Sequence, residues 1–81
     1  MLIMESLDKV KMNSEVIIIK VNGEKAIKRR LMDMGMIPGT KVFVRKYAPL
    51  GDPIEIMVRG TEITLRKMDA LNILTEPVSA G

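Results

Sequence analysis

The chain has 81 residues, with 13 Lys and Arg against 10 Asp and Glu for a formal net charge of +3, and no Cys, His or Trp. Without Cys there is no disulfide framework, thiolate nucleophile or thiolate zinc site, and without His the usual neutral-pH base and the commonest metal ligand are missing. An enzyme is therefore not expected, while 47% apolar and 28% charged residues in this length suit one small globular domain of modest stability.

The longest aliphatic run, Val16-Ile17-Ile18-Ile19, falls far short of the roughly 20 residues of a membrane-spanning helix. Met1-Leu2-Ile3-Met4 meets Glu5 too soon to form a signal-peptide core, so a cytoplasmic location is expected.

In chain order, residues 6–10 carry apolar groups only at Leu7 and Val10, enough for one helical turn. Asn13-Ser14 is a turn pair. Residues 16–21 are β-branched except for Lys20 and read as a largely buried strand. Asn22 or Gly23 then opens a helix over residues 24–34, where Ile27, Leu31 and Met34 form one apolar stripe. Met34 is thereby assigned to the core. Glu24–Lys28 and Arg29–Asp33 are i, i+4 pairs of opposite charge. Gly35 is placed to be the left-handed residue that ends the helix, Met36 to fold back on its last turn, and Pro38 to block continuation.

A second strand is expected over residues 41–47, with Val42 and Val44 on one face and Phe43, Arg45 and Tyr47 on the other. Residues 48–53, Ala-Pro-Leu-Gly-Asp-Pro, can only be a loop. Residues 54–59 alternate with Ile54, Ile56 and Val58 inward, Gly60-Thr61 turns, and residues 62–66 alternate with Ile63 and Leu65 inward. One helical turn over residues 67–72 and a strand over 73–76 complete the domain, and residues 77–81 read as a flexible tail. The pattern is mainly β with one inserted helix. A small SH3-like barrel of about five antiparallel strands, spanning residues 1–76, hides the sheet edges best. An open antiparallel sheet with the helix packed across it is the alternative.

Candidate chemistry is sparse. Met32 falls between Lys25 and Lys28 on the helix, away from the apolar stripe, where a thioether suits partner contact better than the soft-metal site it also permits. Asp52 and Glu55 lack a partner base, and a turn Asp with a solvated strand Glu is a plainer reading than a cation site. Residues 1–47 hold 10 basic and 5 acidic groups and residues 48–81 hold 3 and 5, so the halves carry +5 and −2. A basic nucleic-acid-binding barrel is the reading this asymmetry raises. Phe43 and Tyr47 alone are a poor stacking platform, however, and a solvated face is preferred. Arg30 borders the apolar stripe and Arg66 ends a strand, each as fit for a structural ion pair as for a partner contact.

Arg29-Arg30-Leu31-Met32-Asp33-Met34-Gly35-Met36-Ile37-Pro38-Gly39-Thr40 resembles the helix-to-strand motif of the FeoA family. The 48–53 loop is similar to that family's loop, and Gly60, Ile63, Leu65-Arg66 and Ala70 follow at the family's spacing. Asn13 stands where the family commonly has Gly, and tolerates the same left-handed turn. The resemblance implies an SH3-like barrel, with Leu31, Gly35, Pro38, Gly39, Gly60, Leu65, Arg66 and Ala70 as structural positions. It further implies a cytosolic accessory role in ferrous iron transport, modulating the FeoB-type permease and its GTP-binding region without a cofactor or metal of its own. An iron-responsive metal-binding regulatory domain is an alternative in that setting. The expected docking surface is Leu50, Gly51, Asp52 and Pro53, with Met32, Arg29 and Arg30 beside it. Exposed strand edges and surface Met also leave self-association open.

Overall fold

The computed structural model describes residues 4–78. Six antiparallel strands form one sheet in the order β1-β6-β2-β3-β4-β5. They are β1 (Glu5–Ser6), β2 (Ser14–Val21), β3 (Lys41–Tyr47), β4 (Ile54–Val58), β5 (Thr61–Leu65) and β6 (Ile73–Pro77). Helix α1 (Lys25–Asp33) follows β2, and α2 (Lys67–Ala70) precedes β6. A 3-10 turn at Leu7–Lys9 links β1 to β2.

The strand absent from the expected set is β1. Two residues are too few for any alternation to be seen, and tertiary contacts make them a strand. Glu5 and Ser6 pair with Thr75 and Leu74, and the buried Thr75 hydroxyl donates to the Glu5 carbonyl at 2.9 Å. At the other end Pro77 pairs with Val16, and the Val78 N–H donates to Glu15 O at 3.2 Å. The domain therefore runs past the boundary expected at Glu76, and the remainder of the expected tail, residues 79–81, lies outside the described residues.

One core collects Val16, Ile18 and Val21 from β2, Val42 and Val44 from β3, and Ile54, Ile56 and Val58 from β4. Leu65, Ile73, Leu7, Val10, Leu31, Met36 and Ala70 complete it. Two β-bulges decide which side chains enter. The β2–β6 register shifts between Ile18 and Lys20, so Lys20 stays exposed and Val21 is buried. Strict alternation from Val16 and Ile18 would have driven Lys20 into the core. The β3–β4 register likewise shifts between Val44 and Lys46, which leaves Lys46 exposed and sets Tyr47 opposite Ile54. Tyr47 thus packs against the core instead of sharing the outer face with Phe43, and its hydroxyl donates to the Val10 carbonyl.

Helix α1 starts after Glu24, which occupies the N-cap without a side-chain hydrogen bond, rather than after Asn22 or Gly23. Its end is a Schellman turn. The Gly35 N–H donates to Met32 O and the Met36 N–H to Leu31 O, both at 3.0 Å, and Gly35 has φ +101°. This motif brings the residue after the left-handed position onto the last turn. Met36 and Leu31 are accordingly both fully buried, and Met34, expected in the core, is 36% exposed. The turn substitutes Met36 for the next member of the apolar stripe. Pro38-Gly39 then makes a type II turn, with Thr40 N–H donating to Ile37 O at 3.0 Å and Gly39 at φ +93°. Neither expected i, i+4 pair closes into an ion pair among the described residues.

Candidate docking surface

The β3–β4 connection is a fixed loop. Its base closes through Ala48 N–H donating to Pro53 O at 2.9 Å, and its tip through Gly51 N–H donating to Ala48 O at 2.7 Å. The Asp52 carboxylate accepts from the Lys67 N–H at 3.1 Å, which ties the loop to the start of α2. These bonds hold Leu50 at the tip with 94% of its surface exposed. An apolar side chain on a braced loop loses little freedom when it is covered, and burying it stabilises a complex by about 1.5–3 kcal/mol before other costs.

Arg30 and Asp69 join the two helices. The Arg30 guanidinium donates to the Asp69 carboxylate, so of the two roles open to Arg30 the structural ion pair is formed. Arg30 is largely exposed, and the pair orients α1 against α2 more than it stabilises the fold. Arg66 forms no ion pair among the described residues. Its carbonyl instead accepts from the Asp69 and Ala70 N–H groups, both at 3.0 Å, at the head of α2.

Loop, α2 and Arg30 are therefore mechanically connected, through Asp52–Lys67 and then Asp69–Arg30. Met32 is not on this side. Two residues along α1 rotate it by about 200° from Arg30, onto the flank of Lys25 and Lys28, where it is exposed. Arg29 shares with Arg30 a groove along α1 that is also lined by Lys25, Ala26, Asp33 and Met34. A second groove is lined by Arg30, Met34, Thr64, Arg66, Met68 and Asp69. Met68, at 75% exposure, is a surface residue the sequence reading passed over. A four-residue helix has no period from which an outward face can be read. The only available signal was the neighbouring small residue Ala70, which is buried.

The outer sheet face differs in kind. Phe43 and Met57 are cross-strand neighbours there, with Arg59 beside them in the turn at φ +51° and Gly60 next to it. Arg45 pairs with Glu62 at 2.6 Å and Lys46 with Glu55 at 3.6 Å, so much of the basic character of β3 is locally neutralised. Among the described residues no three carboxylates converge on a metal-sized site, and no helix is long and apolar enough to cross a membrane.

Similarity to known proteins follows the same lines. The FeoA domain profile matches residues 5–77. The Fe(2+) transport protein A/Fe(2+) transporter FeoB fusion protein of Porphyromonas gingivalis is 28% identical over 75 residues, covering 93% of this chain and 9% of that protein. The chain thus spans less than a tenth of that relative's length. The FeoA-like protein of Clostridium acetobutylicum is 37% identical, with a TM-score of 0.84, over 94% of this chain and 88% of that one. The zinc-complexed FeoA of Stenotrophomonas maltophilia, described as a prokaryotic SH3 domain protein, is 24% identical with a TM-score of 0.75 over 88% of each chain.

Proposed function

The chain belongs to the FeoA family, with the SH3-like fold found there, and from this premise we propose a non-enzymatic accessory domain that docks on the cytosolic side of a FeoB-type ferrous iron transporter and modulates it. The observation that carries the reading is the Porphyromonas fusion, in which a stretch similar to 93% of this chain shares one polypeptide with FeoB. Tethering raises the effective concentration of one module at another to about the millimolar range, a gain that matters only when the two meet. The braced, almost fully exposed Leu50 is suited to such a contact.

In this reading Leu50, Gly51, Asp52 and Pro53 form the contact, with Arg29 and Arg30 of α1 reached through α2. Met32 contributes only where a partner wraps around α1. The chain's own role in chemistry is contact: it holds neither Cys nor His with which to carry ferrous iron or to catalyse hydrolysis. Titrating the transporter's cytosolic region into the chain tests this directly. Saturable binding that Leu50→Asp weakens by about tenfold or more is the expected result, since a carboxylate would replace a buried apolar contact. Unchanged binding of Leu50→Asp would remove the loop from the interface.

A further inference from the structure

We infer that the groove between α1 and α2 receives an acidic amphipathic helix of the docking partner, with Met34 and Met68 covering its apolar face and Lys25, Arg29 and Arg66 matching its carboxylates. The inference rests on the docking reading and adds a second contact, distinct from Leu50, together with its chemistry. Two neighbouring hollows share Arg30 and Met34 in their walls, one lying along α1 and the other reaching α2.

Its charge is one-sided. Lys25, Arg29, Arg30 and Arg66 face Asp33 and Asp69, four cations against two anions. Only Arg30 with Asp69 forms an ion pair among these groups, which leaves the other three cations available. An acidic ligand is the complementary one, and such complementarity acts on encounter and on register. The apolar lining is equally specific in kind. Met34 caps the C-terminal end of α1 and Met68 lies on α2, and both are exposed. Flexible thioethers adapt to an incoming apolar stripe, and helix-in-groove recognition uses such surfaces. The cations line these two hollows together with the Met rather than a flat face, which favours a rod-shaped ligand lying across both over a lipid surface.

Four probes test this by NMR titration of the full chain. They are the transporter's cytosolic region, a synthetic acidic amphipathic helical peptide, the same peptide with Lys for each Glu, and anionic phosphatidylglycerol vesicles. The acidic peptide is expected to shift the signals of Arg29, Met34, Arg66 and Met68. Its affinity should fall with salt, and by about tenfold in the R29E/R66E double variant, both sites being exposed and free of structural ion pairs. Met34→Ser/Met68→Ser should weaken binding without the salt dependence changing. Equal binding of the Lys peptide, vesicle binding without peptide binding, or an unaltered R29E/R66E variant would overturn the inference. If the cytosolic region binds wild type and R29E/R66E alike yet loses Leu50→Asp, the groove is refuted and the docking reading stands through the 48–53 loop, with Arg29 removed from the contact. If the acidic peptide occupies the groove while the cytosolic region does not bind at all, the groove stands and the docking reading fails.

Discussion

Met34 and Met36 are two residues apart, and the Schellman turn gives them opposite fates. Met36 is fully buried against Leu31, while Met34 looks outward at the groove. Met36→Ala should therefore lower the unfolding free energy by about 2–5 kcal/mol, through lost transfer energy and the cavity left behind. Met34→Ala should stay within about 0.5 kcal/mol, as expected of a surface site. Denaturant unfolding of the two variants side by side distinguishes them. Tyr47 offers a second test at this scale. Burial, and then the nearby Asp8 and Glu5 carboxylates, push its phenol above the ordinary value, and its hydroxyl donates to the Val10 carbonyl. The folded chain holds the phenolic proton more tightly than the unfolded chain does. This contribution is complete below the unfolded phenol's pKa of about 10 and is lost as pH rises through the raised folded value. Tyr47→Phe should cost about 0.5–1.5 kcal/mol at neutral pH through the lost hydrogen bond. Above about pH 10 the gap between wild type and variant should narrow. A constant gap across that range would mean that Tyr47 does not titrate with folding.

The main helix was legible in the sequence because its stripe, Ile27 and Leu31, and its stop, Gly35 then Pro38, all point the same way. The alternating strands β4 and β5 were legible for the same reason. What alternation could not reveal were the bulges. Each inserts one residue and reverses the faces beyond it, so Val21 and Tyr47 end inside and Lys20 and Lys46 outside. The driving force is the cost of burying an ammonium group, which exceeds that of a local kink in the sheet. The very short β1 was invisible because it exists through pairing with β6, whereas α2 was expected as one helical turn over residues 67–72 and only its ties to Asp52 and Arg30 needed the structure. At this scale Gly35→Ala isolates the helix stop. No atom lies closer than 3.9 Å to the added methyl, so the variant meets only the positive φ, and it should lose about 1–2 kcal/mol with its fold intact. A larger loss, or scattered NMR signals for β3, would show that Gly35 sets more than the helix end.

As a whole the molecule is a small sheet domain whose outward features sit on connections, not on strands. The candidate contacts are Leu50 on the β3–β4 loop, Met68 on α2, and Met34 with the basic face on α1. The links Asp52 to Lys67 and Asp69 to Arg30 tie them into one side of the domain. The 48–53 loop and the basic face were legible beforehand from Pro, Gly and charge. The separation of Met32 from Met34 was legible from the helical period, while the grouping of Met34 with Met68 needed three dimensions. A rigid side bearing one apolar tip and one charged groove suits a domain that grips a larger partner and shifts its balance of states. Such a shift requires that it bind one of those states better than the other. The most direct measurement is ferrous iron uptake and GTP hydrolysis by the transporter in proteoliposomes, with and without a saturating amount of this chain. The account predicts that wild type changes at least one of the two rates and that Leu50→Asp leaves both near the transporter-alone level. Rates that are identical with and without the chain would contradict it.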